Sequence, residues 1–189
     1  MAPRLLGAVL THDTPEGRVS VRLTEVEAYA GVGADPGSHA FRGQTPRTRS
    51  MFGEPGHLYT YFTYGMHVCA NVVCSPVGEA SAVLLRAGEV VEGIELARLR
   101  RPTAHTDRDL ARGPARLVTA LGIVLAEDGA PLFAPPFSLT DPVVPMPVEE
   151  IATSLRTGVS GEGGREPFAW RFYLTGDPSV SPYKRHPKA

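Results

Sequence analysis

The stretch Gly17-Arg18-Val19-Ser20-Val21-Arg22-Leu23-Thr24-Glu25-Val26-Glu27-Ala28-Tyr29 sets the frame of this chain. Apolar side chains fall at Val19, Val21 and Leu23, and polar ones at Arg18, Ser20, Arg22 and Thr24. A period of two is the signature of a β-strand. Continuing the odd register puts Glu25, Glu27 and Tyr29 on the same face as the apolar set. A carboxylate at the end of a buried face needs a partner or a chemical task. Either residue could activate a water as a general base, or sit in a structural ion pair with an arginine. Periodicity does not choose between these accounts, nor between the two residues.

Working outward, residues 30–57 are broken by Gly31, Gly33, Pro36, Gly37, Gly43, Pro46, Gly53, Pro55 and Gly56, and read as a long loop. Loops of this length inside a compact domain are commonly functional. This one carries His39, Arg42, Arg47 and Arg49. Two β-rich runs come next, Leu58 to Tyr64 and His67 to Cys74, flanking Gly65. That is a hairpin signal, with Tyr64 near the tip. A third strand is expected over Ser81–Arg86. Helices are expected from about Val90 to Arg101, before Pro102, and from Pro114 to Gly122. Residues 127–148 are Pro-rich and acidic and read as a surface excursion. Phe168–Leu174 reads as a last strand. The expected architecture is α+β: one mixed domain over 1–189, with a curved, mostly antiparallel sheet, a protruding hairpin and flanking helices.

The 189 residues are enough to bury a core, and no apolar run approaches the length of a membrane span. The start, Met1-Ala2-Pro3-Arg4-Leu5-Leu6, lacks the long apolar segment of a signal peptide. No membrane association is expected. The location expected is the bacterial cytoplasm, near the nucleoid, or the nucleus in a eukaryote. Net charge is −1, but residues 117–155 hold five acids and no Lys or Arg. The remainder therefore carries 19 basic and 15 acidic residues, a net of +4. Such segregation fits a nucleic-acid-facing side without demanding one. Lysine occurs only at Lys184 and Lys188, which argues against imine chemistry. Cys69 and Cys74 would lie ~16 Å apart on one strand, too far for a disulfide.

Four of the six tyrosines, Tyr29, Tyr59, Tyr61 and Tyr64, fall within 36 residues. Such rings can stack on unpaired bases, although Tyr is also an ordinary sheet residue. His39, His57, His67 and Cys69 lack metal-ligand spacing. The His and Cys patterns of zinc deaminases do not occur. No metal or cofactor is expected.

These runs together resemble the alkyladenine (3-methyladenine, methylpurine) DNA glycosylase family. The resemblance is carried by Thr24-Glu25-Val26-Glu27-Ala28-Tyr29, by Ser38-His39, and by Gln44 through Phe52. It continues through Pro55 to Met66, Cys69-Ala70-Asn71, Val83 to Ala87, Gly113 to Leu117 and Trp170 to Tyr173. It implies a base-excision repair enzyme acting on double-stranded DNA that contains damaged purines. Such enzymes flip the nucleotide out of the duplex and hydrolyse its N-glycosidic bond, leaving an abasic site. By position, Glu27 matches the residue that activates the attacking water, and Arg86 helps hold that water. Tyr29, His39 and Tyr61 match the residues that clasp the base. Asn71, backed by Leu84, matches the residue that excludes guanine. Tyr64 matches the wedge that enters the DNA. The backbone carbonyl of Thr157 falls where the family contacts the water, and Arg42, Arg47 and Arg49 are candidates for the DNA backbone. Glu25 is left as a structural carboxylate paired with an arginine. A water nucleophile implies no lyase step, and a monomer is the simplest state. An aromatic pocket is also expected to attract the cationic charge of an alkylated purine. Leu5-Leu6-Gly7 lies almost at the start, so the family's leading helix reads as truncated. The alternative is a non-catalytic nucleic-acid-binding module on the same scaffold.

Overall fold

The computed structural model describes residues 1–63, 65–142 and 144–189. Tyr64 therefore lies outside the described residues. The strands are β1 (Val9–Thr14), β2 (Gly17–Tyr29), β3 (Leu58–Thr63), β4 (His67–Val73), β5 (Ala82–Glu92), β6 (Phe137–Thr140), β7 (Ile151–Ser154) and β8 (Arg171–Leu174). They form one curled sheet in the order β3-β4-β5-β2-β1-β6. β8 joins the C-terminal half of β2, and β7 joins β8. Every pairing is antiparallel. Helices α1 (Ile94–Arg100) and α2 (Pro114–Leu121) pack on the sheet, so the fold is α+β as expected.

β2 has the bounds that its alternation predicts, but its faces do not. The register against β5 slips at Leu23/Glu25 and again at Glu25/Val26. Thr24 is the extra residue on β2, and Arg86 is the extra residue on β5. These are back-to-back bulges, and each local insertion reverses the facing of the residues beyond it. The main core therefore takes Val19, Val21 and Leu23 and then Val26, with Ala28 packed against it. Glu25, Glu27 and Tyr29 fall on the opposite face, away from the apolar set they appeared to continue.

Two faces result. One holds the large core, where Leu58, Val72, Val83, Leu85 and Val26 meet Leu117, Val118 and Leu121 of α2. The other carries a smaller cluster of Ala40, Met51, Tyr59, Val73, Ala80 and Ala82. The long loop folds over this second face. Within it, Thr45 and Thr48 cap a short 3-10 turn over Pro46–Phe52 reciprocally.

Two further boundaries differ from the sequence reading. β5 runs on to Glu92, through the expected start of the first helix. Val90 and Val91 are β-branched and prolong the strand. Gly93, at φ +74°, then turns the chain into α1, and a Cβ there would strike the Arg18 carbonyl. The Pro-rich excursion contains β6, which pairs with β1.

Candidate active site

Register assembles the site. Tyr59 faces Asn71, Asn71 faces Leu84, Leu84 faces Glu27, and Glu27 faces Arg171. Facing residues of an antiparallel ladder point the same way. One row across five strands thus carries three of the expected site residues. Tyr29 lies one row to one side of it, and Tyr61 and Cys69 one row to the other.

Above this row is a cavity of about 590 Å³. Its lining includes Tyr29, His39, Tyr61, Asn71, Leu84, Arg86 and Thr157. Among the described residues, the expected base-pocket residues, Arg86 and Thr157 therefore converge on the cavity; Glu27 is not part of its lining but is bonded to Tyr29, Arg86 and Thr157, which are, and the loop arginines lie outside it. Gly113 to Arg116, at the start of α2, also line it.

Glu27 is fully buried. Its Oε2 accepts from the Tyr29 hydroxyl at 2.9 Å and from Arg86 Nη1 at 3.3 Å. Its Oε1 accepts from the Thr157 backbone N–H at 2.6 Å. A carboxylate offers about four lone-pair sites, and three donors leave one of them open. Arg86 also donates through Nε to Glu25 Oε1 at 2.7 Å. Burial works against the Arg86 charge, yet Glu27 and Glu25 outweigh it and push its pKa above the ordinary value.

Glu25 is the buried ion-pair residue that the sequence reading expected. It binds two arginines: Arg171 Nε also reaches Oε1, at 2.7 Å. The Ser181 N–H donates to Oε2 at 2.6 Å. Burial opposes the charge, but Arg86 and Arg171 prevail and hold the Glu25 carboxyl below its usual pKa.

The aromatic wall is built from His39, Tyr59 and Tyr61. Tyr59 and Tyr61 stack with centroids 5.6 Å apart. His39 meets Tyr61 edge-on at 4.6 Å, and its Nδ1 lies 3.0 Å from the Tyr59 hydroxyl. Burial, with help from Arg47, pushes the His39 pKa down to about 4, so the imidazole is neutral at physiological pH. Burial pushes Tyr59 up to about 12 and Tyr61 higher. Burial and Glu27 also raise Tyr29. The phenols stay protonated. Asn71 donates through Nδ2 to the Tyr59 carbonyl at 3.0 Å, which fixes its amide.

Arg42, Arg47 and Arg49 are exposed. Arg47 alone touches the aromatic wall, with its guanidinium carbon 5.5 Å from the Tyr61 centroid. Among the described residues no three His, Cys, Asp or Glu side chains converge on a metal-binding arrangement. Cys69 and Cys74 are free thiols, and Cys69 is buried beside the cavity.

Three parts of the site do not stand out in the sequence. Arg156 is fully buried, donates to both oxygens of Asp35 at 2.6 and 2.7 Å, and packs on Tyr29. The partners are 121 residues apart, so no local pattern could reveal them. Tyr59 is visible only as one tyrosine among four. The segment after Pro178 is the third part. Ser179 bonds Thr24, Ser181 binds Glu25 and Arg171, and the Lys184 carbonyl accepts from the Gly158 N–H at 2.9 Å. It straps down the loop that presents Thr157 to Glu27.

Comparison with known proteins identifies the family of the chain. Residues 1–178 match the family model described as methylpurine-DNA glycosylase. A relative from Leifsonia xyli subsp. xyli is 66% identical over 99% of this chain and 88% of its own length. One from Streptomyces avermitilis is 56% identical over 98% and 87%, and one from Nocardia farcinica 52% over 100% and 88%. All three carry a provisional name, 3-methyladenine DNA glycosylase. With a match over nearly the whole chain and relatives above half identical, the chain belongs to the methylpurine-DNA glycosylase family.

Proposed function

We propose that this protein removes damaged purines from double-stranded DNA by base flipping and hydrolysis at Glu27. The supporting observation is the setting of Glu27: fully buried and held by donors from Tyr29, Arg86 and Thr157, three residues that line the aromatic cavity. In this reading the flipped purine lies between Tyr29 on one side and His39 and Tyr61 on the other. Glu27 takes a proton from a water that Arg86 and the Thr157 carbonyl help orient. The water oxygen bonds to C1′ as the C1′–N bond breaks, and the bonding pair leaves with the base. An N3- or N7-alkylated purine departs as a neutral molecule. A neutral lesion departs as its anion, which takes up a proton from solvent water. Asn71, backed by Leu84, crowds the 2-amino group of guanine. Tyr64 fills the gap left in the duplex, and Arg42, Arg47 and Arg49 meet phosphates. The protein acts as a monomer, without a cofactor and without cutting the strand.

The test is Glu27→Gln on duplexes carrying 3-methyladenine, 7-methylguanine, hypoxanthine or ethenoadenine. Excision falls by about 10²–10⁴-fold, the range for a lost general base. Binding to a duplex with an abasic-site analogue persists. Full excision by the variant overturns the role of Glu27. A wild-type protein that binds but releases no base supports a non-catalytic module instead.

A further inference from the structure

Two rings that line the cavity each carry an arginine. The guanidinium carbon of Arg156 lies 4.5 Å from the centroid of Tyr29. Tyr29 lines the cavity, whereas Arg156 is fully buried and does not. The arginine therefore stands behind the ring. Trp170 and Phe168, at 5.4 and 5.8 Å, complete an aromatic box around it. Asp35 balances its charge overall, but the guanidinium is the group against Tyr29. Across the cavity, Arg47 stands 5.5 Å from the Tyr61 centroid. Arg86 and Arg116 add positive charge to the lining, and Glu27 is already bound to Arg86.

We propose that Arg156 and Arg47 set lesion preference, tilting this cavity toward neutral purines and away from cationic alkylated ones. The inference rests on the reading that a flipped purine lies between these rings. A ring attracts a cation through the negative lobe of its quadrupole. With a cation already on one face, its electrons are drawn to that side, and a second cation opposite meets repulsion. The attraction expected of an aromatic pocket for an alkylated base is thereby opposed. The titrating groups respond in the same sense. Arg156 opposes the rise that burial and Glu27 impose on the Tyr29 hydroxyl. Arg47 adds to burial in keeping His39 uncharged. Alkylated purines lose little by this, because their own charge already weakens the glycosidic bond. A neutral lesion such as hypoxanthine lacks that lability and depends on how well the rings hold it.

The experiment is single-turnover excision at saturating enzyme. Matched duplexes carry either hypoxanthine, which is neutral, or 7-methylguanine, which is cationic. Two variants are compared with the wild type. Arg47→Gln changes an exposed side chain. The double variant Asp35→Asn/Arg156→Met removes both charges of a buried pair together, which folded proteins commonly tolerate. Each is expected to raise the ratio of 7-methylguanine to hypoxanthine excision by about fivefold, the scale of one cation–π contact. General damage spares the more labile 7-methylguanine and also raises the ratio, so Arg47→Lys, which keeps the charge, is the control: it is expected to leave the ratio at the wild-type value, and a rise equal to that of Arg47→Gln overturns the proposal. If the double variant does not fold, Arg47→Gln decides alone. A ratio within about twofold of wild type in every folded variant overturns the proposal. A wild type that releases neither base overturns the purine reading and this proposal with it, a result distinct from an unchanged ratio.

Discussion

The hydroxyl of Tyr29 donates a 2.9 Å hydrogen bond to Glu27 Oε2, two residues earlier on the same strand. One residue thus presents a ring to the cavity and a donor to the carboxylate. Tyr29→Phe separates these tasks by keeping the ring and removing the donor. Excision is expected to slow by roughly tenfold, the worth of one hydrogen bond to a charged group. Binding to an abasic-site duplex stays unchanged. Loss of binding in step with rate would show that the hydroxyl serves the fold.

Glu25 gives a stability prediction. Its carboxylate pairs with two buried arginines and a backbone N–H. Glu25→Gln leaves Arg171 without its carboxylate and Arg86 with Glu27 alone, and is expected to cost about 3–5 kcal/mol. Chemical denaturation measures this. Because its folded pKa lies below the ordinary 4.5, its stabilisation is complete above that value. It is lost as pH falls through the folded pKa. The wild type therefore loses stability below about pH 4.5 in a window where Glu25→Gln is flatter.

His39 gives a loss of the same sign, on acidification, in a higher pH window. Its folded pKa of about 4 lies below the ordinary 6.5. Between those values the unfolded chain takes up a proton that the folded chain refuses. Stability therefore declines on acidification from pH 6.5 to about 4, and His39→Gln removes that part of the decline. Because Arg47 adds to the shift, Arg47→Gln is expected to raise the His39 pKa in an NMR titration. No movement would mean that burial alone sets it.

The segment after Pro178 is expected to act on chemistry more than on folding. Inserting one glycine between Pro182 and Tyr183 moves Lys184 out of register with Gly158 while keeping every side chain. Excision is expected to drop by about tenfold, equivalent to one misplaced hydrogen bond on Glu27. The thermal midpoint is expected to stay close to wild type. Equal rates in the two proteins would mean that Arg156 holds this loop unaided.

Much of the fold is legible in the sequence wherever a signal is local. The alternation of Gly17–Tyr29, the tyrosine-rich hairpin and the Pro114–Gly122 helix all sit where residue spacing puts them. β1 leaves little signal because Val9-Leu10-Thr11-His12-Asp13-Thr14 has only two apolar residues, adjacent to each other. β6 is hidden by prolines on both sides. The facing of Glu25 and Glu27 departs from the alternation because a bulge is a property of a strand pair, whereas periodicity describes one strand. The expected cavity residues came from family resemblance, and the sheet register explains why they lie together. Asp35–Arg156 is illegible, since charge pairing over such a separation leaves no trace in spacing.

The inserted Thr24 acts as a phase shifter. Before it, odd positions of β2 answer to the oily interior; after it, even positions do. A single strand thus serves two masters without compromise. Val19, Val21, Leu23, Val26 and Ala28 can vary for packing while Glu25, Glu27 and Tyr29 answer to the polar network on the opposite face. The cavity face can change on one side of the sheet while the other side keeps the same hydrophobic contract.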